Sequence, residues 1–176
     1  QRMGFLIQDL LELTRFEAGA VPLAKERLDW TALCRNTMQR FQPQYETAGL
    51  RLVGEGPITP AWIVADGRRI EQIVDNLLVN ALRYGHAPGT VTLALTAAAA
   101  AERHRLVVAD DGPGFPPEDL RHVFDRFYRG SRATATKGSG LGLAIVKEIV
   151  RLHGGTVSAQ NREPHGAQVA VELPAA

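Results

Sequence analysis

Apolar positions along this chain recur at two spacings, and the switches between them mark out its elements. Met3, Leu6, Ile7, Leu10, Leu13 and Phe16 fall at helical spacing over residues 1–17, a stretch closed by Ala18-Gly19. That stripe is too apolar for a lone surface helix and needs a bundle or a partner to pack on. Residues 21–28 read as a strand. Asp29 then caps a helix from Trp30 to about Ala48, with Gly49 at its end. Short strands follow at Leu50–Val53 and Trp62–Ala65. Asp66 caps the best-defined element, a helix to Tyr84 in which Ile70, Ile73, Val74, Leu77, Leu78, Ala81 and Leu82 form a clean apolar stripe. Strands at Thr90–Thr96 and His104–Ala109 flank an alanine run at 97–101, read as a loop. Pro116-Pro117 open a short helix ending near Phe124, a polar loop follows, and the next helix runs to Leu152. Thr156–Gln160 and Ala167–Leu173 read as a closing hairpin. The pattern predicts a mixed α/β sandwich with one sheet face covered by helices. No internal repeat interrupts it.

Composition narrows the class. A chain of 176 residues that is 45% hydrophobic can bury one good core with an extra element at one end. A net charge of +1 gives no reason to expect nucleic acid or an acidic membrane surface as the main partner. Cys34 is the single cysteine, which excludes an internal disulfide framework and a cysteine zinc site; it reads as a half-buried, reduced thiol. No apolar run approaches membrane-spanning length and no signal peptide is visible, so the expected compartment is reducing and aqueous. The chain opens in mid-helix without a start methionine or a cap, and so reads as a piece of something longer.

Three segments carry candidate chemistry. Lys137-Gly138-Ser139-Gly140-Leu141-Gly142-Leu143 runs directly into an apolar-periodic helix. Such alternating glycines either form a flexible turn or let several N–H groups converge on an anion at a helix N-terminus. A P-loop does not fit, because the lysine precedes the glycines. A dinucleotide fingerprint does not fit either, because Leu143 stands where glycine is needed. In the helix after Asp66, Gln72, Asn76, Asn80 and Tyr84 stack four residues apart on one face, beside Arg83. Each mid-helix asparagine costs roughly half a kcal/mol relative to alanine. Either both are locally hydrogen-bonded surface residues, or a carboxamide oxygen faces a hard cation such as Mg²⁺. Asp110-Asp111-Gly112-Pro113-Gly114-Phe115 ends a strand; it makes a tight turn, or else Asp110 accepts a hydrogen bond from a base amino group.

Taken together and in order, these segments resemble sensor histidine kinases of two-component systems. Glu71 to Tyr84 (EQIVDNLLVNALRY) is similar to the family's N box and DDGPGF to its G1 box. Residues 124–129 (FDRFYR) are similar to its F box, and Gly138–Leu143 to its G2 box. His153-Gly154-Gly155-Thr156 and Gly166 resemble the closing hairpin. Residues 5–19 (FLIQDLLELTRFEAG) resemble the end of the second dimerisation helix. The resemblance covers essentially the whole chain. It implies a Bergerat ATP-binding fold, a two-layer sandwich with a mixed, mostly antiparallel sheet, over residues 20–176, with residues 1–19 belonging to the dimerisation and phosphoacceptor helix.

The resemblance also implies roles. Asp110 would bind the adenine amino group, Gly112 and Gly114 would line the base pocket, and Tyr84 would pack beside the base. Asn80 would hold Mg²⁺, Asn76 would lie by the same phosphates, and Arg83 would face phosphate or ribose. Gly138, Gly140 and Gly142, with Ser139, Leu141 and Leu143 between them, would close over the phosphates. Residues 125–139 would form a lid anchored by Phe124 and Phe127, with Lys137 or Arg126 adding charge. In the related gyrase and MutL ATPases a water-activating glutamate stands where this chain has Asn76, and such a base commonly contributes about 10²–10⁴-fold. A carboxamide there suits a site that keeps ATP for transfer. His86, His104, His122, His153 and His165 lack the acceptor context and read as surface or turn residues, with His153 ending its helix. The acceptor is expected upstream of Gln1, so this chain should bind ATP and not phosphorylate itself.

The implied partners are ATP, the histidine-bearing helix of its own dimer and a response regulator receiver domain. Nucleic acid is not among them, and a membrane is reached only through other segments of a protein whose kinase portion is cytoplasmic. Three rival readings are a degenerate nucleotide-holding module, a gyrase-type ATPase, which Asn76 opposes, and a serine kinase of an anti-sigma partner, which residues 5–19 oppose.

Overall fold

The structure, a computed structural model, describes residues 2–97, 102–130 and 138–176. The elements run α1 (Arg2–Glu17), β1 (Glu26–Asp29), α2 (Trp30–Thr47), β2 (Leu50–Glu55), β3 (Trp62–Ala65), α3 (Gly67–Tyr84), β4 (Gly89–Thr96), β5 (Arg103–Asp110), α4 (Gly142–Leu152), β6 (Thr156–Asn161) and β7 (Ala167–Pro174). Five strands form one sheet in the order β2-β4-β5-β7-β6, while β1 and β3 make a separate antiparallel pair. Only β2 and β4 run parallel, with α3 in the crossover between them; the other neighbours in the sheet are antiparallel. This is the expected two-layer sandwich, a mostly antiparallel sheet with α2, α3 and α4 packed on it.

Local chemistry explains where the helices start. The Asp29 carboxylate accepts the Thr31 N–H at 2.9 Å. Asp66 accepts from Arg68 and Arg69 at 3.1 and 3.3 Å, each cap worth about 1 kcal/mol. The second Asp66 oxygen accepts the Ala24 N–H at 3.1 Å, so one carboxylate also ties down the approach to β1. The α3 stripe is buried as its spacing predicts, through Ile70, Ile73, Val74, Leu77, Leu78 and Ala81. Each such side chain contributes about 1.5–3 kcal/mol on leaving water. These residues meet Ile145, Val146, Ile149 and Val150 of α4 and the inner face of the sheet. Buried Tyr45 adds a hydrogen bond to the Leu78 carbonyl at 2.7 Å, joining α2 to α3.

The apolar stripe of α1 finds part of its partner within the chain. Leu13 and Phe16 are fully buried, and α1 packs on α4. Glu12 pairs with Arg69, whose guanidinium also lies 4.8 Å above the Phe16 ring. Phe5, Ile7 and Leu11 stay exposed.

Some expectations need correction. Residues 117–124 form successive turns rather than a helix. Asp119, His122 and Asp125 donate to carbonyls three residues back (Pro116, Asp119 and His122), one bond per turn, the pattern of successive tight turns. The strand expected over 21–28 begins only at Glu26, since β3 offers four residues of pairing. Cys34 is buried, not half-buried, and burial pushes its thiol up to about 12. His104 is buried rather than a surface residue, and His153, though buried, ends α4 as its C-cap as expected. Among the described residues no helix is long and apolar enough to cross a membrane.

Candidate functional site

A cavity of about 600 Å³ opens between α3, the end of β5, the turns after it and the start of α4. Two polar clusters face it. The first centres on Asp110 at the C-terminal end of β5. Its Oδ1 accepts the Gly112 N–H at 2.9 Å, and the carboxylate also takes a hydrogen bond from the Ala167 backbone. Burial pushes the Asp110 carboxyl above the usual carboxylate range, the two N–H groups oppose that, and Asp111 next door adds to it. Gly112 is buried directly behind the carboxylate, and Gly114 takes a left-handed φ of +77°. Gly114 is needed there, because a β-carbon would lie 2.7 Å from the Asn161 side chain.

The second cluster gathers around the N-terminus of α4. The first bond inside that helix runs from Ile145 N–H to the Leu141 carbonyl, so the Gly142, Leu143 and Ala144 N–H groups have no helical acceptor. Asn76 donates to the Gly142 carbonyl at 3.3 Å, and Asn80 lines the cavity one turn further along α3. Arg83 lies so close to Gly138 that any side chain there would collide with its guanidinium. Gly140, at φ +71°, packs on the backbone of Phe127. Of the four-residue ladder, Asn76, Asn80 and Tyr84 reach one cavity with Arg83, whereas Gln72 lies outside it, bonded to Glu12 and Arg69. A carboxylate at one cluster, with carboxamides, a guanidinium and a helix N-terminus at the other, suits a ligand with a hydrogen-bond-donating head and an anionic tail.

Not every expected residue lines this space. Asn76, Asn80, Arg83, Tyr84, Asp110, Gly114, Gly138, Ser139, Gly140, Gly142 and Leu143 do. Leu141 is fully buried in the core beneath the glycines. Phe124 is partly buried against the core, as an anchor would be, but Phe127 is not an anchor. It is 50% exposed, and its φ of +58° is left-handed. Arg126 pairs with Glu17 of α1, Nε to Oε1 at 2.9 Å, instead of adding charge to the cavity. Lys137 falls outside the described residues.

Sequence reasoning missed several participants. Asn161 braces the G1 turn, accepting the Phe115 N–H at 2.7 Å and donating to its carbonyl at 2.8 Å. Asp111 accepts the Thr90 N–H at 3.0 Å and so holds the start of β4 against the same turn. Ala167 reaches the cavity from β7, and Asp9 reaches it from α1. An asparagine flanking a hairpin was the only signal for Asn161, and nothing local marked Ala167.

Comparison with known proteins fits this geometry. Residues 65–176 match the family described as histidine kinase-, DNA gyrase B- and HSP90-like ATPase, and the chain belongs to that family. It is 37% identical over 169 residues to the sensor protein KdpD of Escherichia coli, covering 96% of this chain and 18% of KdpD. The full-length ShkA structure in complex with AMPPNP superposes with a TM-score of 0.82 at 31% identity, over 97% of this chain and 35% of ShkA. The mycobacterial sensor histidine kinase MprB superposes with a TM-score of 0.76 at 30% identity, over 85% of this chain and 98% of that one. The chain thus spans a small part of KdpD.

Proposed function

We propose that this chain is the ATP-binding catalytic part of a sensor histidine kinase, with residues 1–19 the end of a dimerisation helix and residues 20–176 the nucleotide-binding domain. The observation that carries this reading is the convergence of Asp110, the α3 carboxamides, Arg83 and the α4 N-terminus on one cavity. The structure of full-length ShkA in complex with AMPPNP supports the same ligand class.

In this reading Asp110 accepts a hydrogen bond from the adenine amino group, held in place by the Gly112 and Ala167 N–H groups. Tyr84 borders the base. The unpaired N–H groups at the start of α4, together with Arg83, bind the phosphates. Mg²⁺ keeps several waters and takes few protein ligands, and the donor set fits it. Among the described residues no group of three acidic, histidine or cysteine side chains forms a cage, whereas the Asn80 carboxamide oxygen can supply one ligand beside phosphate oxygens. When bound, Mg²⁺ neutralises charge on the phosphates. A histidine on another helix attacks the γ-phosphorus through an imidazole nitrogen; the N–P bond forms, the bond to the bridging oxygen breaks, and ADP leaves. Asn76, with no proton to take or give near neutral pH, leaves water unactivated. Onward transfer to an aspartate of a response regulator completes the proposed pathway, on the cytoplasmic side of any membrane the full protein meets. The exposed Ile7 and Leu11, one turn apart, offer α1 a face for the histidine-bearing helix.

Calorimetric titration with a non-hydrolysable ATP analogue, with and without Mg²⁺, tests the reading. Mg²⁺-sensitive binding is expected, and phosphotransfer only when a histidine-bearing dimerisation domain is supplied. No binding at millimolar nucleotide refutes it.

A further inference from the structure

Asp9 stands apart from the rest of the cavity because it arrives on α1, outside the matched region 65–176. It meets the cluster where anionic phosphates would sit. The Ser139 hydroxyl donates toward Asp9 Oδ2 at 3.4 Å and accepts the Leu141 N–H at 3.2 Å. With α1 docked, Ser139 is therefore engaged on both sides, and the Asp9 carboxylate shares the cavity with Gly142 and Leu143 at the start of α4. Partial burial pushes the Asp9 carboxyl above its ordinary value, the Ser139 hydrogen bond opposes this, and Glu12, one turn along, adds to it. That is the wrong sign of charge to place near a helix N-terminus that awaits phosphate.

Resting on the nucleotide reading above, we propose that Asp9 sets the phosphate affinity of the site, competing with nucleotide phosphates for Ser139 and the α4 N-terminus whenever α1 is docked. Two consequences follow from charge and linkage. Metal-free ATP, which carries its full negative charge, is penalised more than adenosine, which carries none. Phosphate binding and α1 docking oppose one another reciprocally, because whatever docking costs the nucleotide, the nucleotide costs docking.

The test compares the affinities of adenosine and ATP in EDTA, and of ATP in Mg²⁺, for the wild-type chain and Asp9→Asn. A like charge about 6 Å away, in a solvent-lined cavity of effective dielectric about 40, is worth about tenfold in affinity. Asp9→Asn should therefore tighten metal-free ATP by about tenfold and leave adenosine within twofold. Leu13→Ala loosens α1 from α4 without changing any charge. It should tighten metal-free ATP in the wild-type background and do nothing further in the Asp9→Asn background. Equal changes for adenosine and ATP overturn the proposal, as does a Leu13→Ala effect that persists without Asp9, which would mean that α1 obstructs by bulk. Weaker Mg²⁺-ATP binding in Asp9→Asn also overturns it, since Asp9 would then assist the metal. A wild-type chain that binds neither adenosine nor ATP refutes the nucleotide reading itself and takes this proposal with it.

Discussion

Replacing Asp110 by asparagine probes the base end of the cavity with the least disturbance. The carboxylate sits at the end of β5 and holds two protein N–H groups, from Gly112 at 2.9 Å and from Ala167. Alanine would leave both without an acceptor and confound a ligand effect with a local collapse. Asn keeps the shape and one carbonyl acceptor, but it removes the charge and introduces an NH₂ that must face a donor. A hydrogen bond to a charged group is worth about 1.5–3 kcal/mol, and an amide donor set against an amino group adds repulsion. D110N should therefore weaken ADP binding by at least about 10–100-fold, since every 1.4 kcal/mol is tenfold. Titration calorimetry with ADP measures the loss, and thermal unfolding of the same sample controls for folding. The Gly112 and Ala167 bonds weaken as well, so a small drop in Tm is expected beside the affinity loss. An unchanged Kd for ADP with an intact Tm would show that Asp110 does not meet the base. The adenine assignment would then fall, whatever the phosphates do.

Asn80→Ala should abolish most of the Mg²⁺ dependence of ATP binding while leaving adenosine affinity within about twofold, because it removes a carboxamide and no charge; undiminished Mg²⁺ dependence in calorimetry would place the metal elsewhere. His153 provides a pH prediction. Its Nε2 accepts the Asp66 N–H at 3.1 Å and its Nδ1 donates to the Ile149 carbonyl at 2.7 Å, so the packed form is the neutral ring. Burial lowers its pKa below the ordinary 6.5, with Lys25 adding to the shift and Asp66 opposing it. The unfolded chain therefore binds that proton more readily than the native one. The stabilisation is complete above about pH 6.5 and is lost as pH falls below it toward the native value. Tm should drop between about pH 6.5 and 5 in the wild-type chain and drop less in His153→Gln, and an equal slope in both would rule His153 out as the source.

Periodicity determined most of the framework from sequence alone. The α3 stripe, the Asp29 and Asp66 caps, the closing hairpin and the four-residue ladder of Asn76, Asn80 and Tyr84 are local properties. They depend on 3.6-residue and two-residue repeats and on side chains that bond their own backbone neighbours. The motif order was enough to identify the family. Tertiary structure alone decided the rest, because the forces involved join residues far apart in the chain. Residues 117–124 look helical until their backbone bonds are traced, since turns and a helix share the same residue preferences. Phe127 is apolar yet exposed, on a left-handed backbone packed beside Gly140. His104 and His153 are polar yet buried, and for His153 the reason is an acceptor that the Asp66 N–H finds 87 residues away. Ala167 reaches the site because β7 lies next to β5, and Asn161 reaches it because β6 pairs with β7, setting Asn161 opposite Ala167. Asp9 reaches it only because α1 folds back on α4, a docking driven by buried Leu13 and Phe16 that no local pattern in residues 1–17 distinguishes from packing on a separate partner.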